Sequence, residues 1–170
     1  PRIVIQRRRH RRPSQGKVVA HAALASYSGQ AAYNYAAAHW DSPPRFTDDC
    51  QNFTSWVVQA GGWQQFYYQD WWTPYWDGWV NVFGFEYFID TFYQPVQYIS
   101  YVSQLHWGDV LHIHYPDGSG HSMVVIANNY GNPLLAAHTN ARWGYPFSSV
   151  YAGAPNATYY AIHITADNHD

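Results

Sequence analysis

The periodicity of the chain changes once, at Trp107-Gly108-Asp109, and this change limits the fold more than any other feature. Upstream, apolar residues recur at helical spacing; downstream, they alternate between turn signals. Val110 to Tyr115, His121 to Ala127, Pro133 to Thr139 and Tyr159 to Thr165 read as strands, the first three joined by Pro116–Gly120 and Asn128–Asn132 turns. Val18 to Trp40 reads as helix with a break at Ser28-Gly29, stopped by Asp41-Ser42-Pro43-Pro44. Cys50 to Ala60 is a second helix, opened by Asp48-Asp49 and closed by Gly61-Gly62, with Phe53, Trp56, Val57 and Ala60 on one face. Residues 63–79 read as an aromatic loop, Val80 to Thr91 as a third helix weakened by Gly84, and Gln94 to Leu105 fits either state. Helices followed by hairpin-linked strands predict an α+β fold with an antiparallel sheet.

Composition sets the class. The 170 residues are 47% hydrophobic and 19% aromatic, enough to fill one domain's core and too apolar for disorder. No run of about 18 apolar residues occurs, so no membrane span is expected. One cysteine excludes an internal disulfide and a four-thiolate zinc site. Seven of the nine Lys and Arg fall in residues 1–17, whereas every acid lies at or after Asp41. The division is therefore a basic arm, 1–17, and a domain, 18–170. The domain sets two bases against eleven acids, and such a body repels phosphate backbones, so no nucleic acid is expected on it. Low lysine content and a single thiol point to a secreted or cell-surface protein, although no signal-peptide apolar stretch follows Arg12. The sequence carries no reading of oligomeric state.

The chemistry-bearing residue is the lone Cys50, at a helix start. Unpaired N–H groups and the positive end of the helix dipole favour a thiolate there and are expected to lower the thiol pKa. A nucleophilic thiolate needs a base within reach and a third group to orient that base. His121 opens one strand and His138 lies on the next, with Asn140 two residues beyond on the same face if the strand runs that far. The plainer reading of one cysteine is a small buried hydrophobe.

Six segments then resemble a known family. Asp49-Cys50-Gln51-Asn52-Phe53-Thr54-Ser55 with Gly61-Gly62 resembles the "D-C-T-N-F-V-S-Q…G-G" box of the putative amidase domains, in the papain-like superfamily that also holds NlpC/P60 and CHAP. Ala32-Tyr33-Asn34-Tyr35-Ala36 with Trp40, Trp107-Gly108-Asp109-Val110, Gly120-His121-Ser122-Met123-Val124-Val125, His138-Thr139-Asn140-Ala141-Arg142 and the closing Pro155 to Ala161 follow in the family's order. The resemblance covers about residues 30–165. It implies a papain-like fold in which N-terminal helices, with the catalytic Cys at a helix start, pack on a C-terminal antiparallel sheet. It implies Cys50 as nucleophile, His121 as base, His138 or else Asn140 as third group, and a backbone N–H at Cys50 in an oxyanion hole. Gly120 and Ala141 stand where the family has acids. The implied activity is cysteine-dependent hydrolysis of an amide bond through a thioester, on a cell-wall or other peptide, with no cofactor.

Three further patterns compete with this reading or add to it. Trp71, Trp72, Tyr75 and Trp76 could wall a groove for peptide or glycan, in an enzyme or in an inactive binding module of the same fold; the alternative is ordinary packing. Arg142 could hold a substrate carboxylate or make a surface pair. His112-x-His114 with His121 has metal-site spacing, but no glutamate lies near it in sequence, and the plainer reading is a solvated strand face with no metal.

Overall fold

In the computed structural model, residues 27–65, 72–92 and 96–165 are described. The basic arm and the first part of the expected N-terminal helix lie outside them. Helix α1, Gly29–His39, begins where the sequence breaks, because the Ser28 hydroxyl caps the Ala31 N–H at 3.1 Å. Its Ala32 and Ala36 are fully buried, and small side chains there let α1 approach closely. Helix α2, Cys50–Ala60, is enclosed almost all round. Its apolar positions Phe53 and Val57 meet the core, while its buried polar residues bond to neighbours. Ser55 Oγ donates to the Trp79 carbonyl at 2.9 Å, Trp79 Nε1 to Asn52 Oδ1 at 3.1 Å, and Ser122 Oγ to Thr54 Oγ1 at 2.8 Å. Within the expected loop a short helix α3, Asp77–Val80, forms, and helix α4, Val82–Phe92, follows.

Residues 96–105 resolve into strand β1, Val96–Ile99, and one 3-10 turn, Val102–Gln104. Then come β2 (Val110–His114), β3 (Gly120–Asn129), β4 (Asn132–Ala137), β5 (Arg142–Pro146), helix α5 (Phe147–Gly153) and β6 (Thr158–Ile164). Among these, β5 and α5 had no counterpart in the sequence reading. The six strands form one antiparallel sheet in the order β1-β6-β2-β3-β4-β5. The expected α+β class and antiparallel sheet are therefore present.

Side-chain alternation divides the sheet into two faces. Val110, Val124, Ile126, Ala136 and Ile162 join α1, α2 and α4 in the larger core. Leu111, Ile113, Met123, Leu135 and Ala137 form a second core on the far face, under Phe147 of α5. The meander is anchored at its entry by Asp109, whose buried carboxylate accepts from the His106 and Ile164 N–H groups and from His163 Nδ1. The turn there needs Gly108, at φ +80°, because an added Cβ would lie 2.6 Å from Tyr27 Oη.

Candidate active site

Cys50 stands at the first position of α2, 6% exposed. The backbone N–H groups of Ser122, of Gln51 and of Cys50 itself lie close enough to its sulfur to favour the thiolate. The Ser122 N–H of β3 faces the side where β4 would pair, but the β3–β4 ladder begins only at Val124 with Ala136. Strand β4 ends at Ala137 and the chain turns away, leaving the Ser122 donor to the thiol. The sulfur thus occupies the rim of the sheet, next to the His121–Ser122 step.

Electrostatics at this rim differ from the expectation for a helix start. Burial raises the Cys50 thiol above its ordinary value; the three N–H donors oppose that rise without cancelling it, and the Asp48 charge adds to it. His121 is pushed down to about 4, first by burial and then by His112 and Arg142. The resting pair is accordingly a neutral thiol and a neutral imidazole, and the anticipated thiolate is not the ground state. Tyr115, packed on the far-face core, is raised by burial and by the nearby Cys50.

His121 lies opposite Ile113, so its side chain belongs to the far face, whereas α2 packs on the other face of the sheet. His138 takes a different place from the one expected. It follows the end of β4, with Nδ1 donating to Asp49 Oδ2 at 2.7 Å and Nε2 to the His39 carbonyl at 2.8 Å, its ring stacked on Phe53. Both ring nitrogens are thus engaged by these two partners, and neither faces His121 in a hydrogen bond. Asp49 itself is 1% exposed and also accepts from Asn52 Nδ2. The expected continuation of the strand to Asn140 does not occur: Thr139 and Asn140 have φ of 54° and 71° and form a turn. Thr139 Oγ1 accepts from the Asp49 N–H at 2.7 Å, tying that turn to the residue before the nucleophile. Asn140 is exposed and makes no side-chain hydrogen bond among the described residues.

The aromatic candidates separate. Trp72 is fully buried between Trp63, Trp79 and Phe88, so it is a core residue and cannot wall a groove. Tyr75 and Trp76 are 69% and 53% exposed, with Tyr75 edge-on to Phe46 just before α2. Trp71 lies outside the described residues. Arg142 opens β5, exposed, with its guanidinium 5.3 Å from the Tyr145 ring.

His112 and His114 are not on a solvated face. The lone glutamate, Glu86 of α4, reaches between them: its Oε1 accepts from His112 Nδ1 at 2.9 Å and from His114 Nε2 at 2.7 Å. Burial alone would raise this carboxyl, yet the two imidazole hydrogen bonds outweigh it and hold it at about 2. The cluster was illegible in sequence because its third member comes from a helix 26 residues away. Among the described residues no group of three or more His, Cys, Asp or Glu is arranged to hold a metal ion.

Residues 26–162, most of the chain, match the family described as "Putative amidase domain". The chain belongs to that family. Its description suggests amide hydrolysis by this amidase domain. No curated protein and no solved structure matches the chain. No helix among the described residues is long and apolar enough to cross a membrane.

Proposed function

We propose that this amidase-family domain is a cysteine-dependent amide hydrolase of papain-like type, related to NlpC/P60 and CHAP, acting on a cell-wall or other peptide outside the cell. The observation that carries the reading is the Cys50 sulfur at a helix start, near the backbone N–H of Ser122, the residue after His121, at the rim of the sheet. His121, neutral at pH 7, takes the thiol proton as sulfur attacks the amide carbonyl. The new S–C bond gives a tetrahedral oxyanion, to which the first N–H groups of α2 are assigned as donors. Collapse breaks the C–N bond, and His121 passes its proton to the leaving amine. Water, deprotonated by His121, then hydrolyses the thioester and returns the thiol. With both nitrogens of His138 occupied, Asn140 is assigned the third position, orienting His121. Tyr75 and Trp76 are assigned to substrate contact.

The test is acyl-enzyme trapping with a panel of peptide p-nitroanilides, read by mass spectrometry and nitroaniline release. Wild type should show a thioester adduct on Cys50, Cys50→Ala none, and His121→Ala a kcat reduced about 10²- to 10⁴-fold. Release unchanged in Cys50→Ala would overturn the mechanism. A ligand-induced change in Trp fluorescence, with no turnover and no response to Cys50→Ala, would instead support the binding-module reading.

A further inference from the structure

The far face beside the nucleophile holds a cation without a carboxylate partner among the described residues. Arg142 lies opposite Ala137 in the β4–β5 ladder, and His121 lies opposite Ile113 in the β2–β3 ladder. Ala137 and Ile113 both belong to the far-face core, so Arg142 and His121 project from the same side of the sheet. Strands β3 and β5 flank β4, two strand spacings or roughly 10 Å apart, and the Arg142 charge is near enough to act on the His121 imidazole. Between them β4 has ended, and the turn that leads into Arg142 is pinned to the start of α2 by the Thr139–Asp49 hydrogen bond.

The guanidinium is held ready rather than spent. It rests near the Tyr145 ring, and its polar contact among the described residues is a long 3.4 Å bond from Nη1 to the neighbouring Ala141 carbonyl. Its planar fork therefore keeps donors for a bidentate acceptor. Arg45, the other cation in the described residues, lies over Trp56 of α2 and is occupied elsewhere.

We infer that Arg142 forms a subsite for a carboxylate carried by the substrate next to the scissile amide, so that the substrate class is acidic peptides rather than neutral amides. This rests on the reading of Cys50 as the nucleophile and adds a charge requirement to it.

The thiol is unique, so the alkylation of one atom reads the subsite directly. Iodoacetate and iodoacetamide undergo the same displacement, in which an S–CH2 bond forms and iodide leaves, but only the first carries a carboxylate. Rates at pH 7.5, each divided by that of glutathione with the same reagent, give an iodoacetate-to-iodoacetamide preference. Wild type is expected to prefer iodoacetate at least 5-fold, Arg142→Gln to lose most of that preference, and Arg142→Lys to keep part of it. An equal preference in wild type and Arg142→Gln overturns the subsite and leaves the nucleophile intact. No labelling by either reagent instead removes the accessible nucleophile on which both readings stand.

Discussion

His138 shows how a residue's partners depend on where its strand ends. The sequence sets it on the strand after that of His121, whereas β4 ends at Ala137 and the ring bridges Asp49 and the His39 carbonyl and stacks on Phe53. It thereby joins the end of α1, the start of α2 and the end of β4 into one joint beneath Cys50. Replacing it would leave the Asp49 carboxylate buried with its imidazole partner gone, a defect that costs about 3–5 kcal/mol in comparable buried pairs. His138→Ala should therefore lower the melting temperature by roughly 10 °C, by the usual scaling for a chain of this size. Calorimetry of the variant checks this; a melting temperature within a degree or two of wild type would show that the joint is not structural.

At the level of elements, legibility followed the range of the signal. Helix α2 and strands β2, β3 and β6 were readable because helical spacing, glycine stops and alternation are local, although the Asp49 carboxylate makes no cap bond and goes instead to His138 and Asn52. Strand β5 and helix α5 were missed: Arg142 to Gly153 mixes glycine, proline, serine and aromatics with no clean period. The buried polar face of α2 had no local signal, since the partners of Asn52 and Ser55 (Trp79) and of Thr54 (Ser122) come from distant segments. The start of α2 at Cys50 was readable, whereas the burial that raises its thiol was not, because burial is a tertiary property. The entry to β2 offers a test at this scale. Tyr27 Oη donates to the Gly108 carbonyl at 2.8 Å, and Gly61 packs against the same ring, so one tyrosine wedges α1, α2 and the sheet together. Gly108→Ala combines a left-handed backbone with a Cβ inside contact distance of Tyr27, and should destabilise by about 2–3 kcal/mol. Urea denaturation monitored by Trp fluorescence measures it, and an unchanged midpoint would refute the wedge.

For the molecule as a whole, the buried titrating groups make acid the weak side. Glu86 is held at about 2 in the folded chain against an ordinary 4.5, so between those values the unfolded chain binds a proton that the folded chain refuses. Its stabilisation is complete above pH 4.5 and lost as pH falls toward 2, about 3 kcal/mol in all. His121 is held at about 4 against an ordinary 6.5. Here too the unfolded chain takes the proton first, so stability declines as pH falls from 6.5 to 4, by another ~3 kcal/mol. His112, lowered mainly by its burial, acts in the same direction. His163 runs the opposite way: its hydrogen bond to Asp109 raises it, so its contribution is lost as pH rises. Losses of about 6 kcal/mol are comparable with the total stability of a small domain. Unfolding free energy should therefore fall in two stages, one between pH 6.5 and 4 and one between 4.5 and 2. Denaturation curves at pH 7, 5.5, 4 and 2.5 resolve them. His121→Ala should flatten the upper stage apart from the His112 contribution, and Glu86→Gln the lower. Wild-type stability that stays level from pH 6.5 to 4 would mean that the imidazole beside Cys50 is not held neutral, and the proton-accepting role assigned to it would lose its electrostatic basis.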